Sequence, residues 1–242
     1  MLKETIYTIP INDVFSMDTE CPLCEFIKKE ENDAVDYSLG ASMMEPDARV
    51  LSNELGYCQR HTQMMYSYGN KLSHALVMET RLKYLCEQVK NIKDSVKIPK
   101  KITIGRDKNK EALSEMLVSS KSCLICAKLD KIYTRFIDNL FYMYKTDEEF
   151  RNKFSSSKGF CIKHFEDLAI GAAKNLNSFE YADFIIGLCD LEEKNLKRVC
   201  DDVEWFAKKF DYRYKDADWK NSKDAVPRGC LKISGYIDNE ES

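Results

Sequence analysis

The chain has 242 residues, 44% hydrophobic and 32% charged, with only 9 Gly and 5 Pro and a net charge of −3. It has room for one large domain or two of ordinary size. It has few turn residues for a many-stranded β protein, and no charge excess that would draw it to nucleic acid or an anionic membrane.

The opening stretch "MLKETIYTIPINDVF" lacks the basic start and long apolar run of a signal peptide. No later stretch approaches the roughly 20 apolar residues that span a bilayer. A cytoplasmic location is expected. In a reducing compartment ten cysteines are better read as metal ligands or buried thiols than as five disulfides.

The first motif is Cys21-x-x-Cys24. A helix is expected from about Cys24 to a turn near Gly40, with Glu30, Glu31, Asp33 and Asp36 forming a solvated face. "EPDARVLSNELG" (45–56) reads as a returning helix with Pro46 in its first turn. Cys58-x-x-His61 follows, then a long helix in which Ala75, Met78, Leu82, Leu85, Val89 and Ile92 recur at a 3-4-3-4-3 spacing, expected to be a core stripe. His74, on the same helix, is expected to be a hydrogen-bonded core or boundary histidine.

The stretch 90–110 carries eight Lys or Arg against two Asp. Without interleaved aromatics it reads as a solvated basic linker, not a phosphate-binding strip. "KITIG" (101–105) inside it is the one weak strand signal.

A second Cys-x-x-Cys, Cys123 and Cys126, opens another apolar stripe at Leu129, Tyr133, Phe136, Leu140 and Met143. "TDEEFRNKFSSSKG" (146–159) reads as a second returning helix, with Thr146 and Glu149 as a capping box. Cys161-x-x-His164 and a stripe at Leu196, Val199, Val203, Phe206 and Phe210 complete the pattern. The end (208–236) is rich in aromatics and is expected to pack back over the bundle, with "AVPRGCLKISGY" as a short last helix. Cys86, Cys189, Cys200 and Cys230 read as small buried hydrophobes.

The order of motifs repeats. Cys24 and Cys58 are separated by 33 residues, Cys126 and Cys161 by 34, and the steps His61 to Cys86 and His164 to Cys189 are both 25. This predicts an internal duplication with an offset of about 103 residues. The expected architecture is all-α, two repeats (1–95 and 113–210) joined by the linker 96–112 and followed by the tail 211–242. Each repeat is a helical excursion out and back, closed at its base by its own metal ion.

The ligand types fix the chemistry. Three cysteines and one histidine make a complete tetrahedral set for zinc. The sequence-order grouping is Cys21, Cys24, Cys58 and His61, then Cys123, Cys126, Cys161 and His164. Two of the chain's three histidines fall at the fourth position of a set. Zn2+ with three thiolates and a neutral imidazole carries −1, which helix N-termini, Arg60 and Lys163 can offset. A four-ligand site leaves no open position, which argues for structural metal, two ions per chain.

The segments "IYTIPINDVF", "CPLC", "SMMEPDARV", "GYCQRH", "KGFCIKHF" and "EWFAKKFDYRYKDADW" together resemble a bacterial domain-of-unknown-function family, number 6062, over nearly the whole chain. The resemblance implies no activity. Some members carry the label of an ABC transporter substrate-binding protein, but this sequence has neither a signal peptide nor two α/β lobes. No nucleophile–base pair, phosphate-cradling loop or paired carboxylate motif is visible, so catalysis is not expected. The reading is a zinc-binding cytoplasmic scaffold with an unknown protein partner. The alternatives are a thiol-based redox or metal sensor, and an iron or iron–sulfur protein using the same ligands.

Overall fold

The computed structural model describes residues 5–96 and 122–236. Almost all of the basic linker, with "KITIG", lies outside the described residues. Among the described residues there are ten α-helices, two short 3-10 turns and no strand. In chain order the helices are α1 (Ile9–Phe15), α2 (Pro22–Leu39), α3 (Pro46–Leu55), α4 (Gln59–Ser67), α5 (Lys71–Ser95), α6 (Leu124–Thr146), α7 (Glu148–Ser156), α8 (Ile162–Asn175), α9 (Ser178–Lys208) and α10 (Ala225–Ser234). None of them is long and apolar enough to cross a membrane.

Local chemistry sets most boundaries. Pro46 sits in the first turn of α3, where its missing N–H costs nothing. Asn70 caps α5 by accepting from the Ser73 N–H. Asn177 and Glu180 form a reciprocal capping box at the start of α9. The box expected at Thr146 and Glu149 is not formed. Asp147 is the cap, accepting from the N–H groups of Glu149 and Phe150, while the Thr146 hydroxyl donates back to the Tyr142 carbonyl. A carboxylate one position on is the stronger acceptor, and it complements the helix dipole.

The chain divides into two compact units that are not consecutive in sequence. One comprises Met1–Lys29 with Ile132–Ser242, the other Glu30–Lys131. These differ from the boundaries drawn at 95 and 113, because the divisions fall inside α2 and inside α6.

The first unit has the larger core. Phe15, Phe150, Phe154, Phe160 and Phe184 pack with Leu140, Phe141 and Met143 of α6 and with Leu168 and Ala172 of α8. Phe15 meets Phe150 edge-on at 5.1 Å between centroids. The α6 stripe behaves as its period predicts. The C-terminal segment folds back onto α9: Trp205 Nε1 donates to the Asp218 carbonyl, and Phe206 and Trp219 lie 5.8 Å apart. Buried Lys209 donates to the carbonyls of Tyr214, Lys215 and Ala217.

The second unit has a smaller core of Ala34, Val35 and Leu39 from α2, Met65 from α4, and Ile125, with Tyr57, Val77 and Leu129 at its edge. His74 is buried, as expected. Three expectations fail. Met78, Leu82 and Val89 on α5 are about half exposed (46, 55 and 53%), so that stripe is not core. Cys86, Cys189 and Cys200 are exposed and Cys230 half-buried. Their helices turn other faces inward: on α5 it is Ser73, Val77, Thr80 and Tyr84. Finally, Glu31 on α2 is buried.

A lysine holds the first unit together from α10. Lys232 is 1% exposed, and its Nζ donates to the carbonyls of Glu20 (2.9 Å), Lys158 (2.5 Å) and Phe160 (3.2 Å). Glu192 Oε1 lies 3.7 Å and Glu20 Oε2 3.8 Å from the same nitrogen. Burial disfavours both charges, lowering the Lys232 pKa and raising that of Glu192. We expect Lys232→Met to cost about 3 kcal/mol, since it strands three carbonyls and the buried Glu192 carboxylate, while Glu20 keeps Arg198 at 2.6 Å. Urea unfolding measures this, and a cost below about 1 kcal/mol would rule the network out as a main support.

Candidate metal centres

The eight ligands expected from the sequence do meet in two groups of three cysteines and one histidine, but the groups are crossed. Cys21 and Cys24 meet Cys161 and His164, and Cys58 and His61 meet Cys123 and Cys126. Each Cys-x-x-Cys joins the Cys-x-x-His of the other half. The first group lies in the first unit and the second group in the second.

The reason is helix length. α2 has 18 residues and α3 has 10, so the chain runs out about 27 Å and the next helix can return only about 15 Å. Cys58 and His61 therefore arrive beside the middle of α2, where His61 meets Glu31, ten positions past Cys21. The second half does the same. α6 has 23 residues and α7 only 9, and His164 arrives beside Tyr133, ten positions past Cys123, with ring centroids 5.8 Å apart.

Backbone geometry presents the donors. Cys58 and Cys161 are the N-caps of α4 and α8, and Cys21 and Cys123 directly precede α2 and α6. The second donor of each pair lies in the first turn. Each centre therefore collects two helix N-termini, whose partial positive charge favours thiolates. Gly56 and Gly159 precede the Cys-x-x-His pairs with φ of 65° and 76°. A side chain there is strained, and at Gly159 a Cβ would fall 2.6 Å from Glu192 Oε2.

Fixed contacts hold the two loops of each centre together. In the second unit the Leu124 N–H donates to the Gly56 carbonyl at 2.9 Å, and the Ser122 hydroxyl to the Leu55 carbonyl at 2.7 Å. In the first unit Lys232 does this work through the carbonyls that precede Cys21 and Cys161.

The donor atoms fit a single tetrahedral ion. Within each group they all lie within 4.8 Å of one another. Cys24 and Cys161 sulfurs are 3.7 Å apart, and those of Cys58 and Cys126 3.9 Å. Zinc–sulfur bonds of about 2.3 Å at a tetrahedral angle give an edge of about 3.8 Å. His164 Nδ1 stands 3.3–3.4 Å from its three sulfurs, and His61 Nδ1 3.2–3.4 Å from its own. All ten cysteines are free thiols.

Charge distribution points the same way. In the first centre, hydrogen bonds from Cys21 and Cys24 draw the Cys161 thiol far down. Its hydrogen bond to Cys161 pushes Cys24 up to about 12, and burial pushes Cys21 up. In the second, burial pushes Cys126 up to about 12. At Cys123 burial works the same way, but the bond with His61 and the N–H groups of Cys126 and Cys58 prevail and bring it down to about 6. Cys161 and Cys123 are thus the thiols whose surroundings most favour ionisation, and a cation among the donors would favour thiolates further.

The surroundings of the two histidines differ. The Nε2 of His61 faces Glu31 Oε1 at 2.9 Å, and Arg60 grips the same carboxylate with two bonds of 2.8 and 2.6 Å. Burial opposes the Glu31 charge, yet these partners hold its carboxyl down to about 2. Arg60 therefore reaches the centre through Glu31, while Lys163 is exposed. At the first centre Tyr133 donates to Asp167 at 2.8 Å beside the His164 ring. Glu31 was missed in sequence because it sits among acidic neighbours. Its signal was its place on the inward stripe with Cys24, Ile27, Ala34 and Val35.

Burial differs too. All four ligands of the first centre are buried, whereas in the second Cys126 is exposed and Cys58 half-buried.

The profile of a family described as a family of unknown function (DUF6062) matches residues 2–240. No curated protein and no solved structure matches the chain.

Two double variants test the crossing. Cys21→Ser with Cys161→Ser should remove one ion per chain by elemental analysis, and Cys21→Ser with Cys58→Ser should remove two. The reverse result would restore the sequence-order grouping. Separately, Glu31→Gln should weaken metal binding at the second centre by about ten- to a hundredfold and leave the first unchanged. Competition with a chromogenic chelator reads both.

Proposed function

Since the chain belongs to this family of unknown function, DUF6062, its role must be argued from its own chemistry, and we propose that it is a cytoplasmic zinc-stabilised helical scaffold or interaction module. The observation that carries this reading is the tetrahedral edge length of two complete Cys3His sets. Four protein donors fill the coordination of a zinc-sized ion, so no position is left for substrate.

The same spacing disfavours an iron–sulfur cluster. There the protein ligands are divided among two or four irons joined by sulfides, so donors on different irons stand further apart than the 4.8 Å that spans each group here. A single iron would fit the space, but the imidazole with three thiolates suits zinc, which needs no redox partner.

We also read the chain as a duplication in which the halves exchange their Cys-x-x-Cys ends. Glu31 and Tyr133 hold the same place beside His61 and His164, and Cys58 and Cys161 the same cap position.

A second reading, a thiol-based sensor at the second centre, is favoured by the exposure of Cys126. The sulfurs of Cys58 and Cys126 are 3.9 Å apart. A peroxide can take two electrons from them, forming one disulfide and two hydroxides and releasing the ion.

The purified protein should be colourless and carry two zinc ions per chain. Removal by chelator should lower helical circular dichroism and expose the chain to protease, because structural zinc contributes on the order of 10 kcal/mol. A brown protein, or one whose helices ignore chelation, would reject the scaffold reading. Under limiting peroxide the sensor reading expects one ion released and regained on adding thiol. Release of both together, or of neither, would leave the scaffold alone.

A further inference from the structure

We propose that α5 is a homodimerisation helix, pairing antiparallel with α5 of a second copy of this chain. The proposal is independent of the metal reading. It starts from the six apolar positions from Ala75 to Ile92, with Val96 just past the helix end. Their spacing, 3-4-3-4-3, is a strict heptad seam over about two and a half heptads. A helix that only lies on its own domain needs no 3.5-residue period. A helix that winds about another helix does.

The structure leaves most of this seam exposed, with Leu85 and Ile92 half-buried. Met78, Leu82, Val89 and Val96 are 46, 55, 53 and 46% exposed. Meanwhile the helix is anchored on another face. Ser73 and His74 are buried, Val77 packs on the second unit's core, and Arg81 donates to the carbonyls of Asn53 and Glu54 on α3. The seam is thus held rigidly toward solvent on a 25-residue helix, about 37 Å long.

Flanking residues select the occupant and its direction. With Leu82 and Val89 at the first heptad position and Leu85 and Ile92 at the fourth, the fifth positions are Glu79, Cys86 and Lys93. In an antiparallel pair fifth positions face fifth positions. One register places Glu79 opposite Lys93 of the other copy, Lys93 opposite its Glu79, and Cys86 opposite its Cys86. The helix is complementary to itself in charge, and only when reversed. Glu79 also pairs with Lys83 of its own helix at 2.6 Å, an exposed contact that a partner can share or replace.

Sedimentation equilibrium of the zinc-loaded full chain in reductant should give a dimer at micromolar concentration. Leu82→Lys with Val89→Lys should give a monomer with the wild-type helix signal and metal content. Glu79→Lys should weaken the dimer about tenfold, and adding Lys93→Glu should restore it, which a parallel pair would not show. A short bismaleimide should join two chains in the wild type and not in Cys86→Ser. A monomeric wild type overturns the proposal. So does a monomer that Leu82→Lys with Val89→Lys destabilises, since the seam would then be covered within the chain. A dimer indifferent to these substitutions overturns it as well.

Discussion

Twice in the fold three sulfurs and an imidazole nitrogen are drawn to within 4.8 Å of one another, a spacing that could hold a metal ion. With an ion bound, each thiolate would be held by charge, by a helix N-terminus and by a fixed loop. The second unit's apolar core is small, and the hydrogen bonds from Leu124 and Ser122 to the Gly56 and Leu55 carbonyls help to keep residues 58 and 123 together.

The two centres are built alike and finished differently. At the first, Phe160 and Cys161 are fully buried, Lys232 clamps the loops, and the backbone of Gly235 and Tyr236 passes close to the sulfurs, with the Tyr236 N–H bonded to Cys24. At the second, a salt-bridged carboxylate orients the histidine, and one thiol faces solvent. A buried set with a covered approach suits permanence. An open set held by a charged relay can exchange its ion or react at its exposed edge. Thus one chemistry serves two environments, and the difference lies in what covers it.

Much was legible in the sequence. The helices and the eight cysteines and histidines that gather in two groups of three and one followed from spacing and residue type. The grouping did not, because pairing depends on how far each helix carries the chain before it turns. The lengths of α2 and α3 are readable, but a tandem repeat suggests that each unit closes on itself and hides that a ten-residue return cannot undo an eighteen-residue run. The box motif at Thr146 hides the plain carboxylate cap of Asp147 one step on. Glu31 is masked by its acidic neighbours, although its place on the inward stripe sets it apart. The α5 stripe has the period of a core face, but period alone cannot say which apolar face a fold will use.

The crossing also has a consequence in time. All four ligands of the second centre have left the ribosome once Cys126 emerges, whereas Cys21 and Cys24 must wait for His164, and their clamp for Lys232. Meanwhile Cys58 and His61 are the nearest partners the waiting thiols can find. Closing from Cys24 to Cys161 spans 137 positions, about four times the loop to Cys58, at an entropic cost of about 1 kcal/mol. A nascent chain is therefore exposed to a wrong marriage of its own ligands. It escapes when α6 begins early enough to claim Cys58 and His61 first, leaving the opening pair free for the last helices to arrive.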